Sequence, residues 1–509
     1  MPNGEFINMT AEIKKPKKIL IVGGGTAGWM AANLMVSRWN DVEICLLESA
    51  DIGIIGVGEG STPHLKFFFD TIKVPEAEWM PQCNATYKNG ISFVNWSHNP
   101  GFESYFHPFP AQTDDMTAPV FFSNISARMQ GHDVVVHPDN YFLETYLTRK
   151  NLGPIPAESF PFGVAYGYHF DSTLVGVFLA EKAVSRGVKR VVSTLTEVML
   201  SPNGELAAVR LDDDTLLEAD FFVDCSGFRS LLLQGALKTP FKSFKENLFN
   251  NAAVVMPTQI SEIIPPETKS TALSNGWAWK IPLTNRFGNG YVYSADYITP
   301  EQAEIELREH LGLLDSDTEA RHLQMKIGRV DTHWFKNCLG VGLSQGFIEP
   351  LEATALSLSF ETIMRFIKFY EDGAYTNKFQ EIFNKEINAK FDGVRDYIVC
   401  HYKCNQRKDT DYWRDNFANT SLPENLKAIL NLWESSKNFA NDIRMHNLEG
   451  SYNARSWACL LAGYGVFPQL PFDENKHYRS PHDMDQLADF IRRCGLNFKS
   501  HNDLLIIKT

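Results

Sequence analysis

The chain has no run of 18 consecutive apolar residues, and its opening, MPNGEFINMTAEIKKPKK, lacks the apolar core of a signal peptide. Neither a membrane span nor an export signal is expected. Positive charge is in deficit: 48 Lys and Arg stand against 61 Asp and Glu, a net charge of −13. Phosphate backbones need clustered cations, so this balance argues against nucleic acid as a main partner and against an anionic membrane surface. Cysteine is sparse, eight residues in 509, which makes no disulfide framework. The CHYKC segment (Cys400 to Cys404) has no second Cys/His pair at a zinc-like spacing. It reads as ordinary helix residues, and no metal is expected. Internal repeats and low-complexity linkers are missing too. What these absences leave is a soluble, cytoplasmic, acidic globular protein.

What is present is apolar bulk, 44% hydrophobic against 21% charged residues, enough for a large core. The length fits two or more domains, or one large cofactor domain with insertions. In KKILIVGGGTAGWMAANLMVSRW the period changes midway. Ile19 to Val22 form a buried-strand run, and Met30, Leu34, Met35 and Trp39 then recur at helical spacing. DVEICLLE (Asp41 to Glu48) follows as a second strand, giving β-α-β and a parallel sheet. Further strands are expected at VKRVVSTLTEVML, LAAVRL and DFFVDCSG, and antiparallel ones in NGWAWKIPLTNRFGNGYVYS. From ATALSLSFETIMRFIKFYEDG onward the pattern is mostly helical. In CNATYKNGISFVNW, Ile91, Phe93 and Asn95 alternate with Ser92, Val94 and Trp96, and Lys88 sits just ahead of that run.

Gly23-Gly24-Gly25-Thr26-Ala27-Gly28 is a G-x-G-x-x-G between a strand and a helix. Gly23 permits the tight turn, Gly25 the approach of a pyrophosphate, and Gly28 close helix–strand packing. The phosphates would meet free N–H groups at the helix N-terminus. Glu48 ends the second strand, where it can accept ribose hydroxyls. Two more glycine segments, DCSGFRS and CLGVGLSQGFIEPLEATAL, lie far along the chain. That order favours FAD over NAD.

GGGTAGWMAA, GVGEGSTPHL, CNATYKNGISFVNW, YHFDSTLVGVFL, VDCSGFRSLLL, GWAWKIP, NRFGNGYVYS and GFIEPLEAT occur in the order found in flavin-dependent tryptophan halogenases, which the chain resembles from about residue 17 to about 405 and again at CLLAGYGVFP. The resemblance implies an α/β fold: a monooxygenase-like, FAD-binding Rossmann-type core over 15–365, with 83–165 contributing to a tunnel and substrate site, and a mainly helical substrate-capping module over 366–509. It implies FADH2 from a separate flavin reductase, with O2 and halide, generating hypohalous acid that passes along the tunnel to a lysine. Lys88 matches that lysine and Glu352 the glutamate that assists it. Burial lowers a lysine pKa and a carboxylate raises it, so the sequence leaves its protonation open. Leu195 and Leu343 join the glycine loop as flavin contacts, Trp277 and Trp279 shield the flavin, and His107 and Phe109 face a planar substrate. Halide is expected near the amides of Thr354 and Ala355.

Two departures stand out. Tryptophan-specific members read PLESTG where this chain has Glu352-Ala353-Thr354-Ala355, and Ala355 in place of glycine disfavours positive φ. Their paired tyrosines and glutamate that grip the amino-acid end of tryptophan find no match in NFANDIRMHNLEGSYNARSW. The expected activity is therefore halogenation, with bromide or iodide over chloride, of an indole or other electron-rich aromatic rather than free tryptophan. An FAD-dependent aromatic monooxygenase is the alternative, and monomer and homodimer both stay open.

Overall fold

The computed structural model describes residues 15–50, 58–468 and 483–506; the amino-terminal 14 residues and the start of GVGEGSTPHL lie outside them. A six-stranded sheet runs in the order Trp334–Phe335, Cys338–Gly340, Phe221–Asp224, Lys18–Val22, Glu43–Glu48 and Lys189–Val192. All neighbours are parallel except the edge pair Trp334–Phe335 and Cys338–Gly340. Alternation along the strands assigns their two faces. Ile19, Ile21, Ile44, Leu46, Phe221 and Val223 join the main apolar core. On that side the helix Thr26–Arg38 packs against the helices Ser172–Ser185 and Ala355–Asp372. Leu20, Val22, Cys45, Leu47 and Phe222 join a second core instead. That core is closed by a small antiparallel sheet, Leu195–Leu200, Leu206–Leu211 and Leu216–Glu218. A parallel sheet covered on both faces is what the continuous apolar runs require. The fold is α/β and Rossmann-type, as expected.

VKRVVSTLTEVML is two strands, not one. Lys189–Val192 edges the parallel sheet, and Leu195–Leu200 belongs to the small antiparallel one. Between them, Ser193 donates its backbone N–H to Glu48 O at 2.9 Å, and Thr194 Oγ1 lies 3.1 Å from Ser49 Oγ, which turns the chain at the end of the second strand.

A seven-stranded sheet is the second large one. Its order is Arg321–Gln324, Ala252–Gln259, Arg286–Tyr293, Gly276–Pro282, Glu267–Leu273, Gly90–Val94 and Ser104–Pro108. The GWAWKIP strand lies antiparallel between two neighbours, as expected. Lys88 falls in neither large sheet. Thr86–Lys88 pairs with Gly167–Phe170, which also pairs with Glu59–Gly60. The alternation in CNATYKNGISFVNW holds only to Val94. Asn95 takes φ +62, a left-handed conformation asparagine tolerates, and is exposed. Trp96 is thereby turned inward and fully buried.

The carboxy-terminal part is helical. Gln380–Lys403 buries Phe383, Ile387, Phe391, Val394, Ile398 and His401, an i, i+4, i+8, i+11 stripe that holds it against the core. Among the described residues no helix is long and apolar enough to cross a membrane.

Candidate active site

At the nucleotide end, each glycine has its own reason. A Cβ on Gly23 (φ +118) would lie 2.1 Å from Cys225 O, and one on Gly28 would lie 2.0 Å from Gly23 O. A Cβ on Gly25 would meet nothing within 4 Å, although Gly25 caps the helix Thr26–Arg38. Open space over free helix N–H groups fits a pyrophosphate. Gly342 (φ +69) would place a Cβ 2.6 Å from Ala27 Cβ, so the turn carrying Leu343 lies against Ala27. Glu48 accepts from Arg190 Nε at 2.5 Å through Oε1. Its Oε2 lies where a Cβ on Gly24 would be. Leu195 is half-buried in the second apolar core, two residues beyond the Ser193–Glu48 hydrogen bond. The residues present fit FAD.

At the other end, Lys88 is fully buried and its Nζ has no hydrogen-bond partner among the described residues. The Phe109 ring centroid lies 5.5 Å away. A Cβ on Gly60 would come within 3.2 Å of Nζ, so the missing methyl leaves the amine uncrowded on that side. Burial pulls the Lys88 pKa down to about 7, against the Glu352 carboxylate, which raises it. Glu352 is pushed up to about 7 by its own burial, with His107 and Lys88 pulling it down. Each group of the pair is thus balanced between its two protonation states near neutrality.

Glu352 ends the short turn Pro350–Glu352, which the helix Ala355–Asp372 follows. Its Oε1 lies 3.0 Å from His401 Nε2, and His401 Nδ1 lies 2.7 Å from the Tyr464 hydroxyl. Phe93 and the inward-turned Trp96 pack on the His401 ring, at centroid distances of 4.5 and 5.8 Å. His401 was hidden in CHYKC, where it looked like one more buried position of an amphipathic helix. Its signal was burial of a polar ring on an otherwise apolar stripe, visible only once the stripe is placed. Cys400 lies in this helix and Cys404 caps its end, with Sγ atoms 3.7 Å apart.

His107, on the edge strand Ser104–Pro108, is buried and its pKa is pulled down to about 4 by burial, so it is neutral. Its Nδ1 lies 3.4 Å from the Tyr397 hydroxyl. Tyr397 in turn stacks on Tyr452 at 3.6 Å and meets Trp457 edge-on. Tyr397 and Tyr452 are also absent from the sequence-based set. Trp277 and Trp279 share one face of their strand, with rings 6.1 Å apart. The halide expectation needs correction in one respect. Ala355 is the first residue of its helix, and the residue at positive φ is Ala353 (φ +54), with Thr354 as the cap. The methyl that costs backbone strain is therefore on Ala353.

The whole assembly is that of a known class of flavoprotein. The tryptophan halogenase family model matches residues 18–477, and the chain belongs to that family. It is 36% identical over 477 residues to the 7-chloro-L-tryptophan 6-halogenase KtzR of Kutzneria sp. (strain 744), covering 88% of this chain and 90% of that one. It is 35% identical over 446 residues to the tryptophan 6-halogenase SttH of Streptomyces toxytricini, covering 83% and 84%. Against the crystal structure of SttH the TM-score is 0.84, over 97% of this chain and 100% of the other. The chain is an FADH2-dependent halogenase of this family, an oxidoreductase that uses O2 and halide.

Proposed function

We propose that this enzyme halogenates an indole or similar electron-rich aromatic, with bromide or iodide preferred over chloride, through Lys88 and Glu352. The observation that carries the proposal is the Lys88 amine, buried and without a hydrogen-bond partner among the described residues, with its pKa lowered to about 7. FAD, received as FADH2 from a separate reductase, supplies with O2 and halide the hypohalous acid; the glycine loop, Glu48, Leu195 and Leu343 would hold it. The neutral Lys88 amine takes the halogen: an N–X bond forms, the O–X bond breaks, and the amine proton leaves with the oxygen as water. The aromatic ring then forms C–X as N–X breaks. Glu352 accepts the ring proton and the nitrogen regains one. Holding the halogen on a fixed amine converts a diffusible oxidant into a positioned one.

His107, Phe109, Tyr397 and Trp457 give the substrate flat aromatic walls, while Trp277 and Trp279 stand as the shield on the flavin side. The segment 366–509, which supplies Tyr397, Tyr452 and Trp457, acts as the substrate cap. Two features favour small indoles over the tryptophans named for the relatives. Glu449 is occupied, accepting from Ala454 N at 2.9 Å with Arg444 3.6 Å away, and Tyr452 is stacked on Tyr397. The Tyr452 hydroxyl has no partner among the described residues, but NFANDIRMHNLEGSYNARSW holds no second tyrosine to pair with it at an amino-acid end. The halide reading rests on the Ala353-Thr354-Ala355 corner, which lacks the serine hydroxyl of PLESTG; a less polar corner favours a larger, more easily dehydrated anion at the helix N–H groups.

Equal chloride and bromide, a flavin reductase with NADH, and a mixture of indole, substituted indoles and tryptophan test this in one reaction read by mass spectrometry. Brominated indoles should dominate. A clear chloride preference with efficient turnover of free tryptophan would overturn the substrate and halide assignments together.

A further inference from the structure

Three residues ahead of Glu352 lies a second buried glutamate. Glu349 is fully buried, and its Oε2 accepts three hydrogen bonds: Tyr402 OH at 2.6 Å, Asn250 Nδ2 at 2.8 Å and Trp277 Nε1 at 3.0 Å. Asn250 Nδ2 also reaches Tyr402 OH at 2.8 Å, and its Oδ1 accepts from Tyr412 OH at 2.9 Å. The donors come from separate parts of the chain: the segment before the strand Ala252–Gln259, the GWAWKIP strand, and the helices Gln380–Lys403 and Asp411–Ala418. Oε1 is buried without a partner among the described residues, so the three bonds at Oε2 alone offset the carboxylate's removal from water. Burial raises the Glu349 pKa, and the bonds from Tyr402, Trp277 and Asn250 oppose the rise.

Two contrasts give this network a direction. Trp279, on the same strand face as Trp277, has a buried indole N–H with no partner among the described residues, so none of them fixes its ring through that N–H. Trp277 alone is tied, and tied to Glu349. Moreover His401 and Tyr402 are consecutive on one helix. His401 holds Glu352 and Tyr402 holds Glu349, so one helix end grips both glutamates of the E-P-L-E turn. The residue after that turn, Ala353, is held at φ +54, a conformation that needs the surroundings to enforce it.

We propose that Glu349 is a positioning residue of this site: with Tyr402 it fixes the tilt of the Trp277 ring and the placement of the turn that presents Glu352. The inference rests on the roles given above to Trp277 and Glu352. Glu349 itself takes no part in the transfer of halogen or proton; it keeps the shield and the acid in register.

The test compares Glu349→Gln, Tyr402→Phe and Trp277→Phe, singly and as the pair Tyr402→Phe with Trp277→Phe. In the indole region of an amide correlation spectrum of the full chain labelled with ¹⁵N-tryptophan, the signal lost in Trp277→Phe identifies Trp277. That signal should move in Tyr402→Phe and Glu349→Gln while the other indoles hold their positions. In turnover, halogenated product per FADH2 oxidised should fall about 5- to 30-fold, the flavin electrons going to hydrogen peroxide instead. The double variant should lose little more than the worse single one, because both act on one network. Should Glu349→Gln fail to fold, Tyr402→Phe and Trp277→Phe carry the test alone. An unmoved Trp277 signal, unchanged product per flavin, or fully additive losses would overturn the proposal. If the unaltered enzyme halogenates no aromatic, the proposed function fails instead, and the Trp277 signal still decides the role of Glu349.

Discussion

At the glycine loop, the work is done by groups every residue has. Gly23, Gly25 and Gly28 contribute free backbone and missing Cβ atoms within six consecutive positions, and Glu48 is two strands of one β-α-β unit away. At the Lys88 end the same chain gathers side chains from a short three-stranded sheet, a loop after a distant strand, and two carboxy-terminal helices. The first site leaves space over helix N–H groups for a ligand that brings its own charge. The second buries a lysine and a glutamate, and among the described residues nothing gives the lysine a hydrogen bond. The nucleotide end is built largely within one local unit, with distant turns laid against it, whereas the buried lysine and glutamate need a sealed place that no local segment can build.

The largest expected effect separates the two ends cleanly. Lys88→Ala should leave FAD binding and flavin oxidation as they are while halogenation falls by at least about 10³-fold, because the proximity gain of a positioned amine is lost. Flavin titration and product analysis on the same preparation check it. Near-normal product would mean that the buried amine is packing only.

Glu352→Gln keeps the shape and removes the charge. Turnover should drop by about 10²- to 10⁴-fold with little change in aromatic binding. A second readout sharpens the coupling. The Glu352 carboxylate raises the Lys88 pKa, so removing it lets that pKa fall further below about 7. The acid limb of the residual rate, where Lys88 becomes protonated and can no longer take halogen, should therefore move to lower pH. A limb that stays put or moves up would break the electrostatic link between the two residues.

Most of the nucleotide end was legible in the sequence because its determinants are contiguous and steric. The strand, the glycines and Glu48 can be read from spacing alone. Lys88 and Glu352 could be matched by motif, but what surrounds them could not. His401 falls on a regular apolar stripe, so periodicity counts it as core. Tyr397 and Tyr452 meet across about fifty residues of intervening helix and loop. Asn95 breaks an apparently regular alternation through one positive φ, and that single turn brings Trp96 onto His401. The positive φ expected at Ala355 falls instead at Ala353, because residue spacing does not mark where the helix begins.

The isolation of Lys88 also has a thermodynamic consequence. In the unfolded chain its amine holds a proton up to about pH 10.4; in the folded protein it releases it near 7. The unfolded state therefore binds more protons between these values, and stability rises with pH through that window. Glu352 behaves oppositely: its raised pKa makes the folded state the better proton binder between about 4.5 and 7, so stability falls with pH there. The two costs overlap most near pH 7, where the lysine alone costs on the order of 3–5 kcal/mol. Lys88→Met, similar in length and apolar, should melt higher than the parent at pH 7, with the gap closing as pH approaches 10. Melting curves across that range measure it, and an equal or lower melting temperature at pH 7 would show that the amine is relieved by contacts the folded chain makes elsewhere. Neutral pH is thus where Lys88 and Glu352 stand closest to the balance of their two forms and where the fold is least at ease with them.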